Sequence, residues 1–166
     1  MKLIVGLGNI GKEYENTYHN IGFQFLDYLC RKENFSENKK LMSLVYKEDS
    51  KIFIKPTTYM NLSGHAIRLC MDYWKISLEN ILIIQDDTDI TLGEFKFQKN
   101  RGSGGHKGII SISQHIKTND FSRVRIGARS PDYENTKSSD FVLKRISDEN
   151  QEILENVYKE IINIIK

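Results

Sequence analysis

The stretch KLIVGLGNIG, residues 2–11, opens on an apolar run and ends in glycines. Residues 2–7 predict a buried β-strand, and the glycines that follow allow a sharp turn at the edge of a sheet. A second apolar run, ILII at residues 81–84, is followed at once by acidic residues. The carboxyl ends of neighbouring strands meet at one crevice of an α/β sheet, so we expect Asn9 and Asp86 to face the same cleft.

The spacing of apolar residues predicts the remaining elements. Helices are expected over residues 18–33, 63–75, 108–117 and 147–166, and strands over residues 41–47, 52–55, 81–84, 94–98 and 123–128. Residues 48–50 are expected to close a hairpin, Asn61 or Ser63 to cap one helix, and Ser147 to cap another. Strands interleaved with helices predict an α/β fold, a single-domain three-layer sandwich with a mixed central β-sheet over residues 1–166.

The composition is that of a globular chain and excludes several classes of protein. The 166 residues carry a formal net charge of +2 and are 39% hydrophobic, which is not typical of a disordered chain. The sequence contains no run of 18 apolar residues, so no transmembrane helix is predicted, and the N-terminus lacks the features of a signal peptide. Cys30 and Cys70 lie in apolar, helix-like segments and indicate no disulfide framework, so a cytoplasmic location without a membrane partner is expected.

The small net charge conceals an uneven distribution. Residues 96–129 contain eight basic side chains and a single acid, Asp120, so they carry +7 and leave −5 for the rest of the chain. This asymmetry favours either a polyanionic partner or an ordinary solvated basic face, and charge alone does not decide between them.

The glycines at positions 6, 8 and 11 fit the G-x-G-x-x-G pattern of dinucleotide-binding sites. That pattern requires a helix that opens at the motif and a second strand, ending in an acid, about 20 residues later. Here the apolar stripe begins only near Ile21, and residues 26–33 are predicted to be helical. The sequence therefore favours a sharp turn over a nucleotide cofactor.

The histidines are His19, His65, His106 and His115, and none has a Cys or His partner at a metal-binding spacing. No metal or cofactor is therefore expected. His19 follows a polar loop at the predicted start of a helix, where a carboxylate is needed to support it as a base. Asp86, Asp87 or Asp89 could supply that carboxylate, although the three acids could equally form a plain turn.

Two further segments are candidates for binding. Residues 102–108, GSGGHKG, precede a predicted helix and could present backbone N–H groups to phosphate, or form a flexible loop. The polar and aromatic residues around Tyr59 and Asn61 stand between a strand and a helix, where they could line a pocket or form a capped turn.

Five segments together resemble the bacterial-type peptidyl-tRNA hydrolase family over nearly the whole chain. They are residues 2–11 with Tyr14 and His19-Asn20, residues 56–64 (PTTYMNLSG), 85–89 (QDDTD), 102–108 (GSGGHKG) and 123–127 (RVRIG). The resemblance implies a single α/β domain with a mixed sheet. It also implies hydrolysis of the ester that joins a peptide to the 3′ end of tRNA, which frees the tRNA for reuse.

The same resemblance implies catalytic roles for three residues. His19 would activate water as a general base, Asp86 would hold and polarise His19, and Asn9 would recognise the blocked peptide. Because an ester is activated enough for a base and a water molecule, neither a metal nor a cofactor is needed.

The residues that the resemblance implies in substrate binding are Tyr14, Tyr59, Met60, Asn61, His106 and Arg125. Among them, Arg125 would hold phosphate of the tRNA acceptor stem, and the basic segment would supply a sequence-independent phosphate contact. A monomer without an obligate protein partner is expected.

The chain departs from the family pattern at several positions. Lys107 stands where the family has an asparagine that contacts substrate, which makes Lys107 a candidate contact of different chemistry. A second basic residue of the phosphate contact would fall near Gln98, so Lys96 or Lys99 is expected to replace it. The Lys107 departure also leaves an alternative open, a catalytically impaired RNA-binding module of the same fold.

Overall fold

Seven strands form one mixed sheet in the computed structural model, which describes residues 1–165. They are β1 (Lys2–Gly6), β2 (Ser36–Asn38), β3 (Ser43–Glu48), β4 (Lys51–Pro56), β5 (Ile81–Thr91), β6 (Phe95–Gln98) and β7 (Ser122–Arg129). Their order across the sheet is β2-β3-β4-β1-β5-β7-β6. β1 is parallel to β4 and β5, and β5 is parallel to β7, whereas β2–β3, β3–β4 and β6–β7 are antiparallel pairs. The predicted mixed sheet and the β3–β4 hairpin are confirmed.

Helices cover both faces of this sheet. They are α1 (Ile21–Cys30), α2 (Ser63–Trp74), α3 (Lys107–Ile116), α4 (Ser138–Phe141) and α5 (Asp148–Ile165). α1 and α5 pack on the face that carries Ile4 and Ile84, and α2 and α3 pack on the face that carries Val5 and Ile83. Because side chains alternate between the faces of a strand, each apolar strand feeds both cores, and the result is the predicted three-layer sandwich. No helix within residues 1–165 is both long and apolar enough to cross a membrane.

Two predicted helix boundaries are wrong. Residues 18–20 form a 3-10 turn before α1, and α1 ends at Cys30 because Arg31 has a φ of 62°. Neither Asn61 nor Ser63 caps α2, because Leu62 occupies the cap position and the Ser63 hydroxyl donates to the Met60 carbonyl.

The start of the last helix follows its prediction. The Ser147 hydroxyl accepts a hydrogen bond from the N–H of Asn150 at 3.2 Å and so caps α5. Lys166, predicted as the last residue of this helix, lies outside the described residues.

β5 differs most from its prediction. The strand continues past the apolar run to Thr91, because Asp86 pairs with Ile126 and Asp87 with Gly127 on β7. The acids therefore lie on the strand itself rather than in a turn after it. A central strand of the sheet consequently fixes the backbone of Asp86.

Close packing between α1 and β1 accounts for two glycines. A Cβ on Gly22 would lie 2.4 Å from the nitrogen of Leu7 and 2.5 Å from the carbonyl oxygen of Ile84, and a Cβ on Gly6 would lie 2.4 Å from the Gly22 carbonyl oxygen. In the described chain, a short 3-10 turn, Lys12–Tyr14, follows the glycine motif where a dinucleotide fold has a long helix. The glycines bring α1, and with it the His19 segment, against the strand ends.

We expect Gly22→Ala to lower the free energy of unfolding by about 1–3 kcal/mol, the usual range for overpacking, because backbone atoms surround the added methyl group. Gly102→Ala is the matched control, since a Cβ there meets nothing within 4 Å. Urea unfolding of both variants checks this. Equal stability of the two variants would contradict the packing account.

Candidate active site

The centre of the site is a hydrogen-bonded pair formed by His19 and Asp86. His19 Nδ1 lies 3.0 Å from Oδ1 and 2.9 Å from Oδ2 of Asp86. Asp86 is 1% exposed and His19 8% exposed. Since a carboxylate only accepts hydrogen bonds, Nδ1 carries the ring proton and Nε2 keeps its lone pair. The pair has the arrangement of a histidine base that is oriented by an acid.

His106 binds the same carboxylate from the other side. Its Nε2 lies 2.8 Å from Asp86 Oδ1, and its Nδ1 accepts the N–H of Ile109 at 3.4 Å as the cap of α3. The proton of His106 therefore sits on Nε2, which makes its tautomer opposite to that of His19. The two rings are 4.9 Å apart between centroids.

The charge of Asp86 is stabilised by these two neighbours. Burial by itself would raise the pKa of the Asp86 carboxyl. Attraction to His19 and His106, and their hydrogen bonds, outweigh burial and hold that pKa well below its usual range. Asp86 is consequently ionised throughout the neutral pH range, and its carboxylate is available to both rings as a hydrogen-bond acceptor.

Asn9 is held in place by a second asparagine. The side chain of Asn20 accepts the N–H of Asn9 and donates to the Asn9 carbonyl, each at 2.9 Å. The side-chain oxygen of Asn9 accepts the N–H of Met60 at 2.7 Å. This arrangement leaves the Asn9 side-chain NH₂ group as a donor for the cleft.

A cavity of about 620 Å³ opens beside these groups, within the range of small-molecule sites. Of the residues that the sequence predicts for the site, eight line it: Asn9, Tyr14, His19, Met60, Asn61, Asp86, His106 and Lys107. The loop after β1, the strand β5, the 3-10 turns before α1, the turn before α2 and the glycine-rich loop before α3 bring them together.

Two predicted residues lie apart from the cavity wall. Tyr59 is 55% exposed, with its ring edge-on to Tyr14 at a centroid distance of 6.4 Å, and so stands outside the lining. Arg125 is 5% exposed, its Nε donates to Asp87 at 2.7 Å and its Nη1 to Gln98 at 2.6 Å. The guanidinium of Arg125 is thus turned to internal partners, and its predicted role in the basic patch that holds tRNA phosphate stays a prediction.

The sequence did not single out one wall of the cavity. Ser138, Ser139, Val142 and Leu143 line it from the segment around α4, and the Val142 carbonyl accepts the N–H of His19 at 2.8 Å. These residues carry no motif, and backbone hydrogen bonds between residues 142–146 and residues 16–19 bring them to the site. Asn20, by contrast, could have been predicted as a site residue, since it follows His19 directly in the sequence.

Within residues 1–165, one group of side chains has the composition of a metal site: His19, Asp86 and His106. Their potential ligand atoms all lie within 4.8 Å of one another. The hydrogen bonds described above already use these atoms. His106 in particular carries its proton on Nε2, the atom that an ion would need, because Nδ1 caps α3. Hydrogen bonds from the two rings to Asp86 account for this donor set.

Comparisons with known proteins point to one family. A family model described as peptidyl-tRNA hydrolase matches residues 3–166. Peptidyl-tRNA hydrolases of Staphylococcus haemolyticus and Aliarcobacter butzleri are 40% and 43% identical, over 95% and 100% of this chain and 85% and 91% of theirs. The crystal structure of peptidyl-tRNA hydrolase from Acinetobacter baumannii matches with a TM-score of 0.86 at 32% identity, covering 96% of this chain and 83% of that one.

We expect the two cleft histidines to show opposite tautomers in long-range ¹H–¹⁵N spectra, at a pH at which both rings are neutral. His19 should be protonated at Nδ1 and His106 at Nε2, and Asp86→Asn should remove the preference of His19. Finding the same tautomer for both rings would contradict the shared-carboxylate arrangement.

Proposed function

The chain belongs to the peptidyl-tRNA hydrolase family, and from that premise we propose that His19, Asp86 and Asn9 carry out its reaction. The enzyme hydrolyses the ester between a peptide and the 3′ end of tRNA. The observation that carries our assignment of roles is the His19–Asp86 hydrogen bond at the wall of the cavity.

In the proposed step, His19 Nε2 removes a proton from a water molecule as the oxygen attacks the ester carbonyl carbon. The tetrahedral intermediate then collapses, the bond to the tRNA 3′ oxygen breaks, and the imidazolium returns the proton to that oxygen. Asp86 keeps the ring oriented and stabilises the imidazolium between the two transfers. The products are a free peptide acid and tRNA.

The Asn9 side-chain NH₂ group is the proposed donor to the peptide part of the substrate. Its geometry is preset, because Asn20 holds the backbone and Met60 holds the side-chain oxygen. A fixed donor in a partly enclosed site stabilises the charge that develops on a carbonyl oxygen better than water does. We assign Asn61 and Tyr14 to contacts with the substrate main chain and the tRNA 3′ end.

The proposed tRNA contact lies along the basic segment. Lys96, Lys99 and Lys107 are exposed, and Lys107 lines the cavity itself at the start of α3. Tyr59, exposed at the rim, offers a ring on which a base of the single-stranded 3′ end can stack. Arg125 is buried and pairs with Lys96 across β6 and β7, and we keep it as a candidate for the acceptor-stem phosphates.

The proposal treats residues 1–166 as one peptidyl-tRNA hydrolase domain that acts as a monomer in the cytoplasm, without an obligate protein partner. It requires no metal and no cofactor, because the ester and the base suffice. The alternative of an impaired RNA-binding module gains no support from the site, since the base and its carboxylate are in contact.

We expect His19→Ala to lower the rate of N-blocked aminoacyl-tRNA hydrolysis by several orders of magnitude, and Asp86→Asn by about 10²–10⁴-fold, the usual range for general-base catalysis. His65→Ala is the control, because His65 is an exposed histidine on α2 outside the cavity lining. Binding of deacylated tRNA should stay nearly unchanged in all three variants. Wild-type rates in His19→Ala would refute the assigned base.

We expect Lys99→Gln, Lys107→Gln and Arg125→Gln each to weaken tRNA binding and to reduce the slope of log K against log salt by about one, if each removes one phosphate contact. Lys159→Gln on α5 is the control for a change of charge alone. If a variant has the same salt slope as the control, the side chain that it replaces does not contact phosphate.

A further inference from the structure

The largest fully buried side chain of the described residues is an arginine, Arg123 on β7, which is 1% exposed. Its guanidinium carbon lies 5.3 Å from the centre of the Phe121 ring. In the part of the chain that the structure describes, its hydrogen bonds go to carbonyl oxygens and none goes to a carboxylate. Burying a charge without an acidic partner is costly, so the guanidinium has to be compensated by these contacts.

The neighbouring charges add to this cost. Burial first, and then repulsion from Arg125 and Arg101, lower the pKa of the Arg123 guanidinium, with partial compensation from Asp87. An apolar side chain of similar length would fill the same space without the penalty. The hydrogen bonds that only a guanidinium can make are therefore the feature to explain.

Those hydrogen bonds end on the glycine-rich loop. Nη1 donates to the Gly102 carbonyl at 3.3 Å, and Nη2 donates to the carbonyls of Arg101 and Gly102. Among the side-chain hydrogen bonds within residues 1–165, these alone tie residues 101–105 to the sheet. The planar fork of an arginine can hold two successive carbonyls at once, which a lysine cannot do.

The loop leads directly to His106. Gly104 and Gly105 have φ values of 59° and 83°, a conformation that glycine adopts freely and that leaves the loop little intrinsic rigidity. His106 follows, donates its N–H to the Ser103 carbonyl at 3.1 Å, and places Nε2 against Asp86. The base of the loop is therefore one of the contacts that set the position of His106, beside its hydrogen bonds to Asp86 and Ile109.

We propose that Arg123 is a positioning residue of the active site, because its guanidinium fixes the base of the glycine-rich loop and thereby holds His106 against Asp86. This inference rests on the proposed function, in which Asp86 orients His19. A displaced His106 leaves one lone pair of Asp86 unpaired and allows the carboxylate to rotate away from His19.

The test uses Arg123→Lys, which keeps the charge and loses the fork, in the wild-type and His106→Ala backgrounds. Since a small misplacement of a reacting group lowers rates by up to about 100-fold, we expect kcat to fall by at least about tenfold with KM little changed. In the His106→Ala background, the same substitution should cost less than about twofold more, because the two residues act in series. Equal fold-losses in both backgrounds would overturn the proposal.

Lys55→Met is the control for a loss of stability caused by altering a buried cation elsewhere in the fold. Lys55 on β4 is 2% exposed, is bound to Asp27 and packs on the ring of Phe35, away from the loop. It should lose stability, yet leave the ¹⁵N signals of His106 unchanged, whereas Arg123→Lys should shift them. The NMR measurement does not depend on catalytic activity. An inactive wild type would therefore refute the proposed function and leave the claim that Arg123 positions His106 unaffected.

A measurement on the wild type keeps the proposal testable if Arg123→Lys does not fold. Anchored at its base, the loop of residues 102–105 should have backbone order parameters near those of the sheet, about 0.85. Values below about 0.6 at these residues would overturn the proposal.

Discussion

The buried carboxylate of Asp86 accepts hydrogen bonds from His19 and His106, and three separate elements meet at it. Asp86 comes from β5, His19 from the 3-10 turn before α1, and His106 from the cap of α3. The protons of the two rings both point at this acid, which explains its lowered pKa and the opposite tautomers of its partners. His19 Nε2 is thereby left with a lone pair, and in our proposal this atom is the general base.

The basic segment serves two purposes that its total charge of +7 conceals. Arg123 and Arg125 are buried and make internal contacts, with the glycine-rich loop and with Asp87 and Gln98 respectively. Lys96, Lys99, Lys107, Lys117 and Arg129 remain exposed. In our proposals, Arg123 fixes the base of the glycine-rich loop and the exposed cations contact phosphate. A modest net charge is therefore compatible with a polyanionic substrate.

Much of the fold could be predicted from the sequence, because apolar periodicity marks the strands and helices that face a core. The strand character of residues 85–91 could not, since acidic residues have low β propensity and pair there only because β7 lies alongside. The resemblance to a known family implied the contact of His19 with Asp86, whereas the residues alone left Asp86, Asp87 and Asp89 as equal candidates. The alternation of side chains along β5 selects Asp86. The burial of Arg125 and the wall formed by Val142 and Leu143 depend on contacts between distant segments, which local patterns do not contain.

The most direct test of the central claim is the kcat of the double variant His19→Ala/Asp86→Asn on N-blocked aminoacyl-tRNA, compared with that of His19→Ala alone. If Asp86 acts through His19, removing its charge matters little once the ring is gone, and the double variant should be no more than about twofold slower than His19→Ala. If the two losses multiply in full, Asp86 contributes independently of His19, which contradicts its role as the residue that orients the base.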